Sequence, residues 1–341
     1  MSNLIPISWP DYLWPFGIAV VLSYLLTLGI KRLAEQRGWF AYYTTHQTHQ
    51  RRMVRLGGAA IYLAFIIPFL IFMDLTPQRI GLLLSVSLMF LMGLLDDIYN
   101  LKAWLKLLIQ FLAIGTALAF GIRIDQVTNP FGGVIVLSGI WDLGLTAVWL
   151  WLVTNAVNLL DGLDGLAAGT TSIAAAALFY LSLFAVVNQP QTALLAIILL
   201  GAALGFIRWN WFPAKIFMGD SGSYTLGFLV GALALMGGAK LATASLVLGF
   251  PLLDAVYAII RRLIHGNNPF AADREHLHHR LLAVGVPHMG VTLIILGISA
   301  VFGVVSLLSG TWAKLIALAV TLIVMIVLIR TIFIVQRRKR D

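Results

Sequence analysis

The sequence predicts an all-α polytopic membrane protein of about eleven transmembrane helices, with one small outer β-hairpin. Three observations predict it. Hydrophobic residues make up 60% of the 341 residues and charged residues only 11%; with a mean hydropathy of +0.94, no water-soluble domain reads this way. Apolar runs long enough to span a bilayer follow one another along the chain. Basic residues crowd one side of those runs.

The runs fall at approximately 13–30, 56–73, 79–95, 103–121, 143–160, 165–187, 191–207, 222–238, 242–263, 290–308 and 312–335. The first starts near Leu13 without a basic flank before it, and it is too long for a cleavable leader, so it is expected to stay. An odd count puts the N-terminus outside if the C-terminus is cytoplasmic. With the basic C-terminal segment in the cytoplasm, Lys31, Arg32, Arg37, Arg51, Arg52, Arg55, Lys102, Lys106, Arg208, Lys215, Arg261, Arg262, Arg274 and Arg280 share that side. Arg79, Arg123, Lys240 and Lys314 fall outside. This asymmetry accounts for the formal charge of +9 without a nucleic-acid partner. The outer loop 122–139 places β-branched runs around a Pro-Phe-Gly-Gly turn and reads as the hairpin. No internal repeat is visible, and residues 1–341 read as a single integral membrane domain. The chain has no cysteine, which excludes disulfides and thiolate metal sites.

The same topology sorts the acids. Asp96, Asp97, Asp161, Asp164, Asp220, Asp273 and Glu275 fall at cytoplasmic span ends or in cytoplasmic loops, and Asp254 lies inside the ninth span. Ionisable groups at membrane depth are rare without a purpose. In GLLDDIYNLKAWLKLLIQ (93–110), Asp96 and Asp97 repel one another, and a divalent cation relieves that. The alternative is two solvated acids at a helix C-terminus, where the macrodipole opposes them. Lys106, one turn into the fourth span, either faces an anionic head group or anchors the span on the basic side. In NAVNLLDGLDGLAAG (155–169), steps of three stack Asn155, Asn158, Asp161 and Asp164 on one helix face. Four oxygen-bearing side chains suit a metal or a sugar nucleotide, whereas polar contacts between spans usually need one or two.

NWFPAKIFMGDSGS (210–223) opens the eighth span with small residues, which suits a phosphate at a helix N-terminus. Asp220 would repel that phosphate unless a metal bridges them. Gly-Lys-Ser is missing, so this is not a P-loop. Phe217 either stacks on a base or belongs to an aromatic belt. NPFAADREHLHHRLLAVG (268–285) gathers His276, His278, His279 and Arg280 in a cytoplasmic loop. They suit phosphate contacts, or else form a plain basic loop; zinc is poorly supported without His-Glu-x-x-His or cysteine. TTHQTHQRRMVRLGG (44–58) adds His49, Arg51, Arg52 and Arg55, which a membrane-surface basic cluster explains nearly as well. Together the motifs describe a metal bridged to a diphosphate substrate, with a lipid as one reactant.

In this order the motifs resemble the polyprenyl-phosphate N-acetylhexosamine-1-phosphate transferases. The resemblance runs from His49 to about Gly285 and rests on the Asp-Asp, Asn-x-x-Asn-x-x-Asp-Gly-x-Asp-Gly and Met-Gly-Asp-x-Gly-Ser motifs. It implies that a lipid phosphate attacks the β-phosphorus of a UDP-sugar and releases UMP; the family's alternative is a two-step route through an Asp nucleophile, and direct attack is the preferred expectation. It implies Mg²⁺, with Mn²⁺ as a substitute, held by Asn158 and Asp220. Asp164 and Phe217 then contact uracil, one by hydrogen bond and one by stacking. Asp96, Asp97, Lys106 and Asp161 form the catalytic group near the phosphates, and His278, His279 and Arg280 clamp the diphosphate and sugar. Asn210, His49 and His276 complete the expected substrate contacts. Asp97, as a base, is expected to matter less than the metal ligands, because a phosphate monoester with a second pKa of about 6 is already largely a dianion.

Glu275-His276-Leu277 before the histidine pair resembles the N-acetylglucosamine branch; the muramoyl-pentapeptide branch has His-Ile-Pro. The implied partners are UDP-N-acetylglucosamine, undecaprenyl phosphate and membrane lipid, with a homodimer compatible and nucleic acid not expected. The implied location is a bacterial plasma membrane with the site on its cytoplasmic face. The chain departs from the family at Arg52 and Val54, where prolines are usual, so no role is carried to Arg52. A transporter would spread its acids across the midplane and show repeats. A CDP-alcohol phosphotransferase needs Ala-Arg after its Asp-Gly, and Gly165-Leu166-Ala167 does not continue that way.

Overall fold

The computed structural model describes residues 9–39, 53–129, 131–184, 188–236, 241–264, 266, 276–308 and 310–338. His49, Arg51, Arg52, Lys240, Asp273, Arg274 and Glu275 lie outside the described residues, as does the side chain of His278. In chain order the elements begin with α1 (Trp9–Arg37), α2 (Gly57–Phe72), α3 (Pro77–Tyr99) and α4 (Ala103–Ala119). The hairpin strands β1 (Gln126–Thr128) and β2 (Val134–Val136) follow. Next come α5 (Ile140–Leu160), α6 (Leu166–Phe184), α7 (Pro190–Asn210) and α8 (Gly219–Leu235). The chain continues through α9 (Leu241–Val247), α10 (Gly249–Ile264), α11 (Leu277–Ala283), α12 (His288–Leu308) and α13 (Thr311–Arg338). The expected hairpin is present, with Val127 opposite Ile135 in an antiparallel pair.

Helices occupy every apolar window of the sequence. Among the described residues, six stretches are long and apolar enough to cross a membrane: 10–37, 77–99, 140–160, 166–183, 190–210 and 288–307. α2, α4 and residues 312–327 are apolar but shorter. At 1.5 Å per residue, the 16 residues of α2 reach about 24 Å, against a hydrocarbon core of about 30 Å. The ninth window departs from expectation. It is not one helix but two, α9 and α10, bent by 81° about Leu248. Pro251 explains the break: its ring has no N–H and collides with the carbonyl four residues back, at Val247.

The bundle is built around α8. Every residue of α8 except Asp220 is buried, and it packs against α2, α3, α5, α6, α7 and α9. In lipid, apolar side chains gain little by leaving their surroundings, so close packing of small residues must hold helices together. Gly227 and Gly231 supply this against α5. A Cβ on Gly227 would sit 2.9 Å from the Cα and carbonyl oxygen of Thr154. Elsewhere the outward faces stay apolar: Leu13, Trp14 and Val21 on α1, and Trp104, Leu108 and Phe111 on α4. Such faces suit contact with lipid.

Gly227→Val is therefore expected to cost about 1–3 kcal/mol of overpacking and to lower the Tm of the detergent-extracted protein. Gly115, which has nothing within 4 Å, is the control. A Gly227→Val Tm no lower than that of Gly115→Val would exclude this packing role.

Candidate active site

The site forms where α3, α4 and α5 meet the first turn of α8. A helix start leaves backbone N–H groups without partners, and here Met218, the residue before α8, offers no side-chain cap. Asp97 supplies it from α3. Its Oδ1 accepts the N–H of Asp220 at 2.8 Å; its Oδ2 accepts the Ser221 N–H at 3.0 Å and the Ser221 hydroxyl at 2.7 Å. The carboxylate also faces the positive end of the α8 macrodipole. The segment before α2 secures the same turn by backbone pairing. Gly57 N–H donates to Phe217 O at 3.0 Å, Gly58 N–H to Met218 O at 2.8 Å, and Phe217 N–H to Val54 O at 2.9 Å.

Asp96 points the other way. Its Oδ1 accepts the Leu101 N–H at 2.8 Å and closes the turn into α4. Its Oδ2 binds Lys106 Nζ at 2.7 Å, and that ammonium reaches Asp220 Oδ2 at 2.9 Å. Lys106 thus bridges two carboxylates from different helices. Arg55 adds a second cation, 3.7 Å from Asp220 Oδ1. Asn158 completes the cluster from α5: its Nδ2 donates to the Ser223 hydroxyl at 2.8 Å and lies 3.5 Å from Asp220 Oδ1.

The four-residue polar stripe is not one helix face. α5 ends at Leu160, so only Asn155 and Asn158 share it. Asp161 is the helix cap, and Asp164 lies in the following turn, which Gly165 closes with φ of 73°. Asp161 is half-buried. Loss of water pushes its carboxyl well above the usual carboxylate range, against the pull of Arg55 and with Asp220, Asp97 and Asp164 adding to the rise. Asp164 is buried, and its Oδ2 accepts the Ala214 N–H at 2.9 Å. Asn210 accepts the Gly165 N–H and donates to Ile216 O, each at 3.0 Å. These two residues stitch the 161–165 turn to the 210–216 loop, beside the half-buried Phe217.

A groove of about 410 Å³ runs from this cluster between α4, α5 and α10. Lys106, Asn158 and His276 line it together, with Leu107, Leu152 and Ile259 on its apolar walls. His276, placed with the substrate contacts by resemblance, is buried and joined to Asp254. His279 and Arg280 follow on α11, and Arg280 lies over the ring of Tyr257 at 5.8 Å. Several participants were not singled out from sequence: Arg55 as a partner of Asp220, Ser221, Ser223, and the polar pair Gln110 and Tyr224. Asn155 Nδ2 donates to Gln110 Oε1 at 2.9 Å. One signal was available for two of them. Gln110 follows Lys106 by four residues and Tyr224 follows Asp220 by four, so each lies one turn deeper on the same face.

The donor set fits a hard divalent cation only in part. No group of three His, Cys, Asp or Glu in metal-holding geometry occurs among the described residues. Asp220 with the Asn158 amide does offer oxygen ligands, and Mg²⁺ commonly takes one or two protein ligands and completes its shell with water and substrate phosphates. The Lys106 ammonium between Asp96 and Asp220 marks where positive charge is favoured.

Comparison with known proteins identifies the family. Residues 79–238 match the model of glycosyl transferase family 4. The probable undecaprenyl-phosphate N-acetylglucosaminyl 1-phosphate transferase of Bacillus subtilis is 32% identical over 91% of this chain and 89% of its own length. The decaprenyl-phosphate N-acetylglucosaminephosphotransferase of Mycolicibacterium smegmatis is 32% identical over 91% and 86%. The undecaprenyl-phosphate alpha-N-acetylglucosaminyl 1-phosphate transferase of Escherichia coli is 28% identical over 70% and 67%.

Removing the Asp97 carboxylate leaves three donors of α8 without an acceptor. Asp97→Ala is expected to cost about 1–3 kcal/mol, read as a lower Tm. Asp97→Asn, which keeps one acceptor, is expected to lose less. Equal Tm values for Asp97→Ala and the parent would remove the cap.

Proposed function

Because the chain belongs to glycosyl transferase family 4, the polyprenyl-phosphate N-acetylhexosamine-1-phosphate transferases, we propose that it transfers N-acetylglucosamine 1-phosphate from UDP-N-acetylglucosamine to undecaprenyl phosphate. The observation that carries this reading is the Lys106-bridged carboxylate cluster at the head of an apolar-walled groove. Phosphate chemistry belongs at the cluster and an isoprenoid chain belongs along Leu107, Leu152 and Ile259. The sugar choice follows the relatives' names and the Glu275-His276-Leu277 sequence. Relatives named for undecaprenyl and for decaprenyl phosphate both match, and undecaprenyl phosphate, the longer by one isoprene unit, is our choice.

An oxygen of the lipid phosphate forms a bond to the β-phosphorus of the UDP-sugar. The bond from that phosphorus to the bridging oxygen breaks, and the electron pair leaves with UMP. Lys106 offsets charge on the incoming phosphate and orients it. Asp97 is not the base: its oxygens already hold three donors, and the lipid phosphate is mostly a dianion at neutral pH. Mg²⁺ held by Asp220 and Asn158 would neutralise the diphosphate and its leaving oxygen. Asp164 would accept the uracil N–H, Phe217 would stack on the base, and Asn210 would keep their loop in place. His279 and Arg280, with His278, would face the diphosphate and sugar. We place the site on the cytoplasmic side of an eleven-span bundle in a bacterial plasma membrane, because the basic residues crowd that side.

UMP release by the purified chain tests the reading. It is expected with UDP-N-acetylglucosamine and undecaprenyl phosphate, to stop on chelation of divalent cations, and to be absent with UDP-muramoyl-pentapeptide. Asp220→Ala should lower the rate by about a hundredfold or more; full activity in that variant would remove the cation model. Asp164→Asn should raise the KM for the nucleotide sugar more than it lowers kcat. The reverse split would move Asp164 from recognition to chemistry.

A further inference from the structure

We infer that Asp254 is a positioning residue: with His276 it forms a clasp through which α10 sets where α11 presents His279 and Arg280. The inference rests on the transferase reading above. Asp254 and His276 are 6% and 4% exposed. A carboxylate so buried is costly unless its oxygens are bonded. Both are. Oδ2 pairs with His276 Nδ1 at 3.1 Å, and Oδ1 accepts the Leu277 N–H at 3.1 Å.

Leu277 is the first residue of α11 and His276 is its cap residue. α11 has seven residues and no side-chain cap of its own, too short to be stable alone. Its start is therefore held from another helix. Tyr257, three residues after Asp254 on the same face of α10, adds a second hold through Arg280. Two points of attachment fix the rotation of α11 as well as its position. The carboxylate also sets the His276 ring, because Nδ1 must carry the proton that it donates. His276 lines the groove with Lys106 and Asn158, whereas the α10 residues that line it are Ala255, Ala258, Ile259 and Arg262. Asp254 thus acts through α11 and does not touch substrate. The 81° bend at Leu248 aims α10, and the clasp carries that aim to the histidines.

The test uses the full chain in detergent or lipid discs. Because the chain has no cysteine, Leu277→Cys provides one thiol at a position 1% exposed. Maleimide labelling then reports opening of α11 without any need for activity. With Asp254→Ala, labelling is expected to speed up by about tenfold or more. In the chain without the reporter, Asp254→Ala should lower kcat per folded molecule by about tenfold or more, with KM for the nucleotide sugar within about twofold. Asp254→Asn, which still accepts the Leu277 N–H, should recover most of both. An unchanged labelling rate would overturn the clasp. So would a normal kcat per folded molecule with only the folded fraction reduced, which marks plain packing. If the unmodified chain releases no UMP, the transferase reading fails, and the labelling arm still decides whether Asp254 holds α11.

Discussion

The Asp97 carboxylate on the first turn of α8 is the contact on which the rest of the site depends. α8 is buried on every side, so its leading N–H groups have no water to satisfy them. An acid must come from a neighbour, and it has to sit where α3 ends. Once Asp97 is turned towards α8, its sequence neighbour Asp96 faces the turn into α4 and meets Lys106. Asp220, the one residue of α8 that is not buried, then sits in front of the same ammonium. One cap thereby fixes three helices and brings two carboxylates, Asp96 and Asp220, to one cation.

That arrangement reconciles two demands that usually conflict. Chemistry on phosphates needs polar groups that do not move, and helices in lipid lack a hydrophobic force to press them together. Here the polar groups tie together helices that small residues such as Gly227 let pack closely. Asp97 caps a helix, Asp96 closes a turn, and Asp164 and Asn210 join two loops. Side chains locked by such bonds need no reorganisation when charge moves. The α10–α11 side is held differently, by the buried Asp254–His276 contact and a cation over Tyr257.

Much of this was legible in the sequence, and the reasons for the rest are physical. Hydropathy located the helices because each must hide its backbone from lipid, and the acids stood out because charge at that depth is rare. The partners were harder to see. Asp97 bonds backbone N–H groups, which leave no mark on residue identity. Arg55 looked like one more surface base, yet it faces Asp220 from far along the chain. The three-residue spacing of Asn155, Asn158, Asp161 and Asp164 suggested one stripe, but the helix stops at Leu160 and splits them. Asp254 was visible as a lone acid within a span. Only the break at Leu248 brings it beside His276.

The charge balance supplies the last step. Among the described residues of the site stand five carboxylates, Asp96, Asp97, Asp161, Asp164 and Asp220, with two cations, Lys106 between Asp96 and Asp220 and Arg55 beside Asp220. Counted as ionised, the five carboxylates outnumber the two cations by three. A nucleotide diphosphate and a lipid phosphate would add several more in a setting where screening is weak. Lys106 and Arg55 are too few to draw both anions to within bonding distance, even with Arg280 facing the diphosphate as proposed. Lys106 cannot be strengthened to do so, because its ammonium is already shared by two carboxylates. A cation arriving with the nucleotide would answer the surplus acid, and this imbalance is the physical ground for proposing Mg²⁺ at Asp220 and Asn158.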